Sequence, residues 1–531
     1  MIVLISLVLF MALGFLFIIF GNERGLKVKT VSSRSLEKLL SRCSEGELPL
    51  EGSLLYEKTP LPYDQGSGTF YLCVDTDDPL WENGVITAAP GMEAVFGQSP
   101  SDSDKAQAVR EDTAFPFYLI SEGVYKKCYI KFTSLPVIDI TMTDAAPIGD
   151  DRLFDMRVIE PAAAGLKETS SLTLGRLRGN TSLTYEKKSL RLQLKKEKKG
   201  EYVSNKCDLL GMRKDDDWIL NSLYADNTRL RDKLCMDLWQ ETGAVCNPFG
   251  LEMGTEGEYA EVLIDHGYAG LYLLTYPVDR KTVKTEKVSS SLSKGKENIE
   301  RIYKKKYSAP LTAAFFEGPL QDPAMPFYRG GYVLKGDTVL ADESEWQRLL
   351  ELGRLYDGED EGFADGIKEL TDNENLMACW LFYQAIAGYD NENKNHYLVN
   401  KEQNGSLKTY FIPWDMNISF GCVYTENVYY CKESDEALES EVAFEPADRL
   451  FRLDQEASAV VSRLWEKWRS GPFDTDRLIE RMDRMEEKLS SSGALKREIA
   501  RWPAGNTSED ISYMKDFTRK RLDWVDGLVN K

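Results

Sequence analysis

The stretch from Thr371 to Gly421 constrains the fold more than any other part of the chain. Thr371-Asp372-Asn373-Glu374 has a hydroxyl followed three residues later by a glutamate, the capping-box spacing that opens a helix. Apolar residues continue to Ala387, and Gly388 predicts the end of that helix. The loop that follows, Gly388-Tyr389-Asp390-Asn391-Glu392-Asn393-Lys394-Asn395, places two acids and three asparagines in its last six positions. His396 to Val399 reads as a strand, Glu402 to Gly405 as a turn, and Leu407 to Ile412 as the return strand, which ends in Pro413-Trp414-Asp415. If Asn404-Gly405 forms a two-residue type I′ turn, Asn395 faces position 414 and Asp415 sits one place further. An amide and a carboxylate then meet at the open end of the hairpin, a few residues after Asp390.

The rest of the composition narrows the chemistry available to that loop. Only two histidines exist, His266 and His396, so a multi-histidine metal site is excluded and any Ser-His-Asp triad would have to use one of the two. Nine cysteines are scattered without a C-x-x-C pair, so neither a zinc site nor a disulfide framework is legible, and most read as small buried hydrophobes. Acidic residues number 86 and basic ones 66, a net charge of −20, and no nucleic-acid partner is expected.

Oxygen ligands with room for water and phosphate oxygens suit a hard cation such as Mg²⁺. A loop Asp five residues before an Asn, then a hairpin, then an Asp, is also the order of parts in protein kinases. There the first acid orients or deprotonates the attacking hydroxyl, and the Asn and last Asp hold Mg²⁺. The alternative is a loop whose Asp and Asn side chains bond their own backbone. His396 reads as a satisfied histidine at a strand start. Lys188 shares strand parity with Leu190, Leu192 and Leu194 and is a candidate cation for phosphates, or else a lysine snorkelling from a strand end. No G-x-G-x-x-G or G-x-x-x-x-G-K-[ST] is present.

At the N-terminus, Ile2 to Phe20 is a run of 19 uncharged residues. At 1.5 Å per residue it reaches roughly 28 Å, close to the hydrocarbon thickness of about 30 Å. With nothing basic before it and Gly21-Asn22-Glu23 after it, an uncleaved single-pass anchor is expected. Arg24, Lys27, Lys29, Arg34 and Lys38 on its C-terminal flank put the large domain on the cytoplasmic side, with the extracytoplasmic side as the alternative. Residues 21–65 read as a juxtamembrane spacer. The short apolar runs between turn-rich segments over 66–134 suggest a small β-sandwich. Leu190 to Leu194 alternate as a strand, Leu230, Leu234 and Leu238 repeat as a helix, and Tyr259 to Leu274 read as a hairpin. Beyond Pro446 the pattern is helical, with breaks near Ser470-Gly471-Pro472 and Trp502-Pro503.

Four blocks in order resemble the CotH kinase family, named for a spore-coat protein and described as divergent, secretory-pathway-like protein kinases. They are Arg178-Gly179-Asn180 through Lys187-Lys188-Ser189-Leu190-Arg191; Asp226-Asn227-Thr228-Arg229-Leu230-Arg231; Gly267-Tyr268-Ala269-Gly270-Leu271-Tyr272-Leu273-Leu274; and Asp390 to Asn395 with Phe411-Ile412-Pro413-Trp414-Asp415 and Phe420-Gly421. The resemblance runs from about Leu135 to Lys531. It implies an atypical kinase that uses ATP and Mg²⁺ to phosphorylate Ser or Thr of a protein substrate. It also implies Asp390 as catalytic-loop acid, Asn395 and Asp415 as metal ligands, and Lys188 and Arg191 as phosphate-side cations. Two positions depart from the family pattern: Tyr276, where an acid is frequent after the strand, and Asn417, where Trp-Asp-x-Asp is frequent.

The expected fold class is α+β, with an atypical protein-kinase-like domain preceded by a single N-terminal transmembrane helix and a small β-sandwich-like domain. The expected divisions are an anchor over 1–20, a spacer over 21–65, the β domain over 66–134, a kinase core over 135–425 and a helical part over 426–531. The rival functional readings are a non-catalytic membrane-anchored scaffold of an envelope or spore coat, and transfer of AMP rather than phosphate.

Overall fold

The computed structural model describes residues 26–530 except 77–82, 103, 146–149, 163–164, 286–299, 318–327, 337–342, 393, 426–427, 432–437 and 504–506. Its centre is a closed β-barrel of seven strands. Around the ring these are Gly165–Arg178, Arg152–Ala162, Val137–Met142, Gly257–Ile264, Gly267–Thr275, Asp217–Asn221 and Ser189–Lys198, and the last pairs back with the first. One neighbouring pair, Val137–Met142 with Gly257–Ile264, is parallel; the others are antiparallel. Period-2 alternation decides what fills the ring. Ile138, Ile140, Met156, Val158, Leu192, Leu194, Trp218, Val262 and Leu274 share one interior cluster, while intervening residues face outward.

Two bodies cover the barrel's outer wall. On one side, residues 26–133 form a six-stranded mixed sheet and a three-stranded sheet, Thr59–Pro60, Leu54–Tyr56 and Ile86–Ala88, around a common core that includes Leu26, Leu54, Phe70, Phe96 and Phe117. On the other side lies the helical half. Its centre is Asn373–Ile386, buried at every position from Asn375 onward and wrapped by Gln455–Arg469, Thr507–Val529 and the hairpin His396–Gln403/Ser406–Pro413. A helix apolar all round is one that lies inside a core rather than on its surface. The hairpin belongs to a second sheet of five strands with Arg301–Lys305, Tyr332–Lys335 and Tyr328–Arg329.

The expected fold class needs two corrections. A closed barrel flanked by a mixed N-terminal sheet body and a helical half replaces the small β-sandwich ahead of an α+β core, because ring closure depends on pairings far apart in the chain that no local alternation reports. Among the described residues no helix is long and apolar enough to cross a membrane, so the expected N-terminal transmembrane helix and the single-pass membrane localisation built on it are left without support. The 23-residue helix Thr507–Val529 has the length but carries Lys515, Asp516, Arg519, Lys520 and Arg521 along its middle. The stretch 2–20 lies outside the described residues.

The three bodies are joined by two consecutive residues of the short helix Ala494–Arg501. Arg497 donates Nε and Nη2 to the two oxygens of Glu261 on the barrel, both at 2.7 Å, and Nη1 to Asp112 of the N-terminal body at 2.6 Å. Glu498 is fully buried and accepts from Lys187 Nζ at 2.7 and 2.8 Å, from Arg229 Nε at 3.2 Å and from the Leu271 amide at 2.8 Å. Gly270, with φ +110°, lets the helix come this close, since a Cβ there would stand 2.3 Å from Glu498 Oε2. Breaking such a pair from one side strands a buried charge, at a cost of about 3–5 kcal/mol. Glu498→Gln, which leaves Lys187 and Arg229 facing a neutral amide, is expected to lower the unfolding free energy read from urea melts by an amount of that order. Lys187→Met combined with Glu498→Gln is expected to recover part of the loss.

Candidate active site

Local sequence builds the loop-and-hairpin unit almost as its spacing requires. The central helix is capped by Asp372, whose carboxylate accepts from the Asn375 amide, while Thr371 turns its hydroxyl back to Ile367 O; the cap therefore falls one residue later than the capping-box spacing predicts. Ala387, at φ +51°, takes the left-handed C-terminal position in place of Gly388. The hairpin register pairs His396 with Pro413 and Gln403 with Ser406, and Asn404 and Gly405 both have positive φ, the condition for a type I′ turn. The Trp414 amide then donates to Asn395 O at 3.0 Å, so the facing of Asn395 and position 414 is realised.

The buried Asn391 amide ties the loop to the hairpin by donating to Asn395 O and Trp414 O, each at 2.9 Å. This crosslink presents Asp390, Asn395 and Asp415 together. Asn395 Nδ2 donates to Asp390 Oδ2 at 2.7 Å, and Lys394 Nζ lies 2.7 Å from Asp390 Oδ1. Partial burial raises the Asp390 carboxyl above its ordinary value against the pull of Lys394, and the nearby charge of Asp415 adds to the rise. Asn395 and Asp415 both sit in the left-handed region, at φ +57° and +58°, a conformation that short polar side chains tolerate better than most. Asp415 is exposed, and among the described residues its carboxylate has no hydrogen-bond or ion-pair partner.

Behind Asp415 the fold is held by groups that the sequence motifs only partly announced. Asp232, at the start of helix Arg231–Glu241, accepts from the Met416 amide at 2.9 Å and from Asn221 Nδ2 at 2.8 Å, which fixes the residue after Asp415. Burial and the charge of Asp415 push its carboxyl up to about 7. Asp226 accepts from the Arg231 amide and guanidinium, and Arg231 Nε donates to Ser419 O at 2.8 Å. The Asp226–Arg231 block thus anchors the loop that carries Asp415.

The cations are not arranged as expected. Lys188 folds back onto its own loop and donates to Leu183 O at 2.8 Å and to Tyr185 O. Lys187 is the buried partner of Glu498. Arg191 forms a two-pronged pair with Asp217 at 3.0 and 2.7 Å. The cations gathered at Asp415 are Arg178 and Lys304, stacked over the Trp414 ring at 6.0 and 5.2 Å from its centroid. Burial, then Arg178, push the half-buried Lys304 down to about 7 despite the attraction of Asp415. The signal for Lys304 was strand parity, since it shares the face of the buried Ile302. Asp232 could have been noticed as an acid inside the Leu230–Leu238 apolar repeat.

Tyr276 donates to Glu256 and supports the Arg213 guanidinium 3.9 Å above its ring, while Arg213 pairs with Asp215 and Asp279. Aromatic stacking thus occupies the place where an acid is frequent. Among the described residues no group of three or more His, Cys, Asp and Glu side chains is placed to hold a metal ion. Asp390, Asp415 and the Asn395 amide nevertheless form an oxygen-rich donor set of the chemistry a hard cation takes, and Asn395, with its nitrogen committed to Asp390, has its carbonyl oxygen available.

A loop Asp and Asn, a hairpin and a terminal Asp, with two cations on the adjoining Trp414 ring, form a kinase-like arrangement. Residues 176–525 match the family described as CotH kinase protein, and the chain belongs to that family. No curated protein matches the chain.

His396, beside the site, is not part of its chemistry. It is buried, with Nδ1 3.2 Å from Lys394 O, and burial followed by Lys305 pushes its pKa from 6.5 down to about 3. The folded chain therefore keeps this ring neutral where the unfolded chain protonates it. Its contribution is fully present above pH 6.5 and is lost as pH falls toward 3, with about one extra proton bound on unfolding in that window. The pH dependence of the urea midpoint between pH 6.5 and 4 is expected to be shallower in His396→Gln than in the parent.

Proposed function

We propose that this chain transfers the γ-phosphate of ATP to Ser or Thr hydroxyls of a protein substrate in a Mg²⁺-dependent reaction. The observation that carries the reading is the grouping of Asp390, Asn395 and Asp415 at the open end of the hairpin, beside Lys304 and Arg178 on the Trp414 ring. In this reading Asp390 orients the acceptor hydroxyl and receives its proton. Asn395 and Asp415 hold the metal ion, which when bound neutralises phosphate charge and orients the leaving group. Lys304 and Arg178 take the phosphate-side role first expected of Lys188 and Arg191, and Asp232 is a positioning residue that acts through the Met416 amide. Such catalysis is mostly positioning and charge neutralisation, so each acid is irreplaceable while none is needed for folding.

Asp390→Asn and Asp415→Asn are each expected to abolish Mg²⁺-dependent transfer from ATP with an unchanged thermal melt; full activity in either variant sinks the proposal. Lys304→Met is expected to lower kcat/KM on the order of a hundredfold. A second readout follows from the low pKa of Lys304. At pH 8 its amine is mostly neutral, and a polyphosphate favours the charged form. ATP binding should therefore take up close to one proton, measured by calorimetry in buffers of different ionisation enthalpy, and the uptake should vanish in Lys304→Met.

The ion pair between Lys394 and Asp390 favours one rival, a non-catalytic scaffold in which the acid is permanently engaged. Absence of any thermal shift with saturating ATP and Mg²⁺ would support that reading. Intact mass of a modified substrate separates added phosphate from added AMP.

A further inference from the structure

A cavity of about 580 Å³ lies on the outer wall of the barrel beneath the segment of the N-terminal body that carries Glu51, Leu61 and Tyr63. It shares no residue with the site above. Its inner end is built from Asp139 of strand Val137–Met142 and His266 of the turn between Ile264 and Gly267. Asp139 is 7% exposed. Its Oδ2 has only a 3.5 Å contact with Arg157 Nη1, and its buried Oδ1 has no partner. Arg157 is committed elsewhere, to Glu168 at 3.2 and 3.0 Å and to Pro60 O at 2.6 Å. His266 is held in place by stacking on Tyr63, with ring centroids 4.6 Å apart, and its buried Nδ1 is also unpartnered. Leaving such atoms buried and unpaired is costly, so their complement should come from a ligand.

We propose that this cavity binds a small organic cation through a primary ammonium group donated to Asp139 Oδ1 and His266 Nδ1. An ammonium has three donors and no acceptor, so it can satisfy both atoms at once, with His266 in its Nε2-protonated tautomer, whereas a hydroxyl brings a single donor. An anion is opposed by Asp139 and by Glu51, Asp155 and Glu197, which also line the cavity. Of the lining cations, Arg157 is engaged by Glu168 and Pro60 O, and Lys195 and Lys196 stand on a strand three places around the barrel from Asp139, roughly 14 Å away at about 4.8 Å per strand. The volume far exceeds that of one water and suits a small organic molecule.

Calorimetric titration of the full chain with putrescine, against butanediol as the uncharged analogue of equal length, tests this directly. Saturable binding of the diamine and none of the diol is expected. Asp139→Asn should weaken binding at least about tenfold, because it replaces a charge-assisted hydrogen bond by a neutral one. His266→Phe, which preserves the stack on Tyr63, should also weaken it and serves if Asp139→Asn does not fold. No binding of putrescine, equal binding of the diol, or binding unaltered in the variants would overturn the proposal. None of these outcomes bears on the ATP reading.

Discussion

The structure depends on the back-to-back ion pairs of Arg497 and Glu498. Neighbouring residues of one short helix point opposite charges in different directions, and each finds its complement on the barrel or the loops at its strand ends: Glu261 for the arginine, Lys187 and Arg229 for the glutamate. Asp112 extends the arginine's reach into the N-terminal body. Buried pairs add little net stability over well-packed apolar side chains, but they tolerate no mismatch. Here they specify how the three bodies dock rather than whether each one folds. Trp502, donating to Ala269 O at 2.8 Å, adds a directional contact at the end of the same helix.

That docking sets the depth of the candidate active site, because the site draws on all parts of the family-matched region. Asp390, Asn395 and Asp415 come from the helical half and its hairpin. Asp232 and Arg231 come from the helix that follows the barrel strand Asp217–Asn221, and Arg178 comes from the end of a barrel strand. Arg229, which holds Glu498, is two residues before Arg231, which holds Ser419 O. The clasp and the support of the Asp415 loop therefore share one short segment. Strain at that segment would be felt at the site even though the clasp residues touch none of its acids.

How much of this was legible follows from the range over which each feature is determined. The hairpin register was, because a two-residue turn and a period of two fix it within twenty residues. The helix cap was legible to within one position, since Thr371 and Asp372 compete for the same role and it is the carboxylate of Asp372 that accepts from the Asn375 amide. The barrel was not legible: its ring needs Val137–Met142 beside Gly257–Ile264 and Asp217–Asn221 beside Gly267–Thr275, pairings between strands far apart in the chain. The cations fall between these cases. Parity correctly marked Leu192 and Leu194 as interior, but Lys188 precedes the first strand residue, Ser189, where parity no longer governs direction and loop carbonyls capture the amine. Lys304 lies inside a strand, where the rule does hold.

The contrast between Lys188 and Lys304 also separates two uses of a lysine. Lys188 is satisfied by backbone carbonyls and has nothing to gain from an anion. Lys304 is stacked on Trp414 and Tyr397, deprived of water and pressed by Arg178, so its charged form is undercompensated in the free protein. Asp390 and Asp232 are displaced in the opposite sense, with their charged forms disfavoured by burial and by Asp415. Two acids and a base pushed toward neutrality await partners of opposite sign, a cation for the carboxylates and an anion for the lysine. An exposed lysine would instead keep its ordinary value of about 10.4 and, already charged and hydrated, gain less from meeting an anion. Burial on the Trp414 platform is what keeps it unspent.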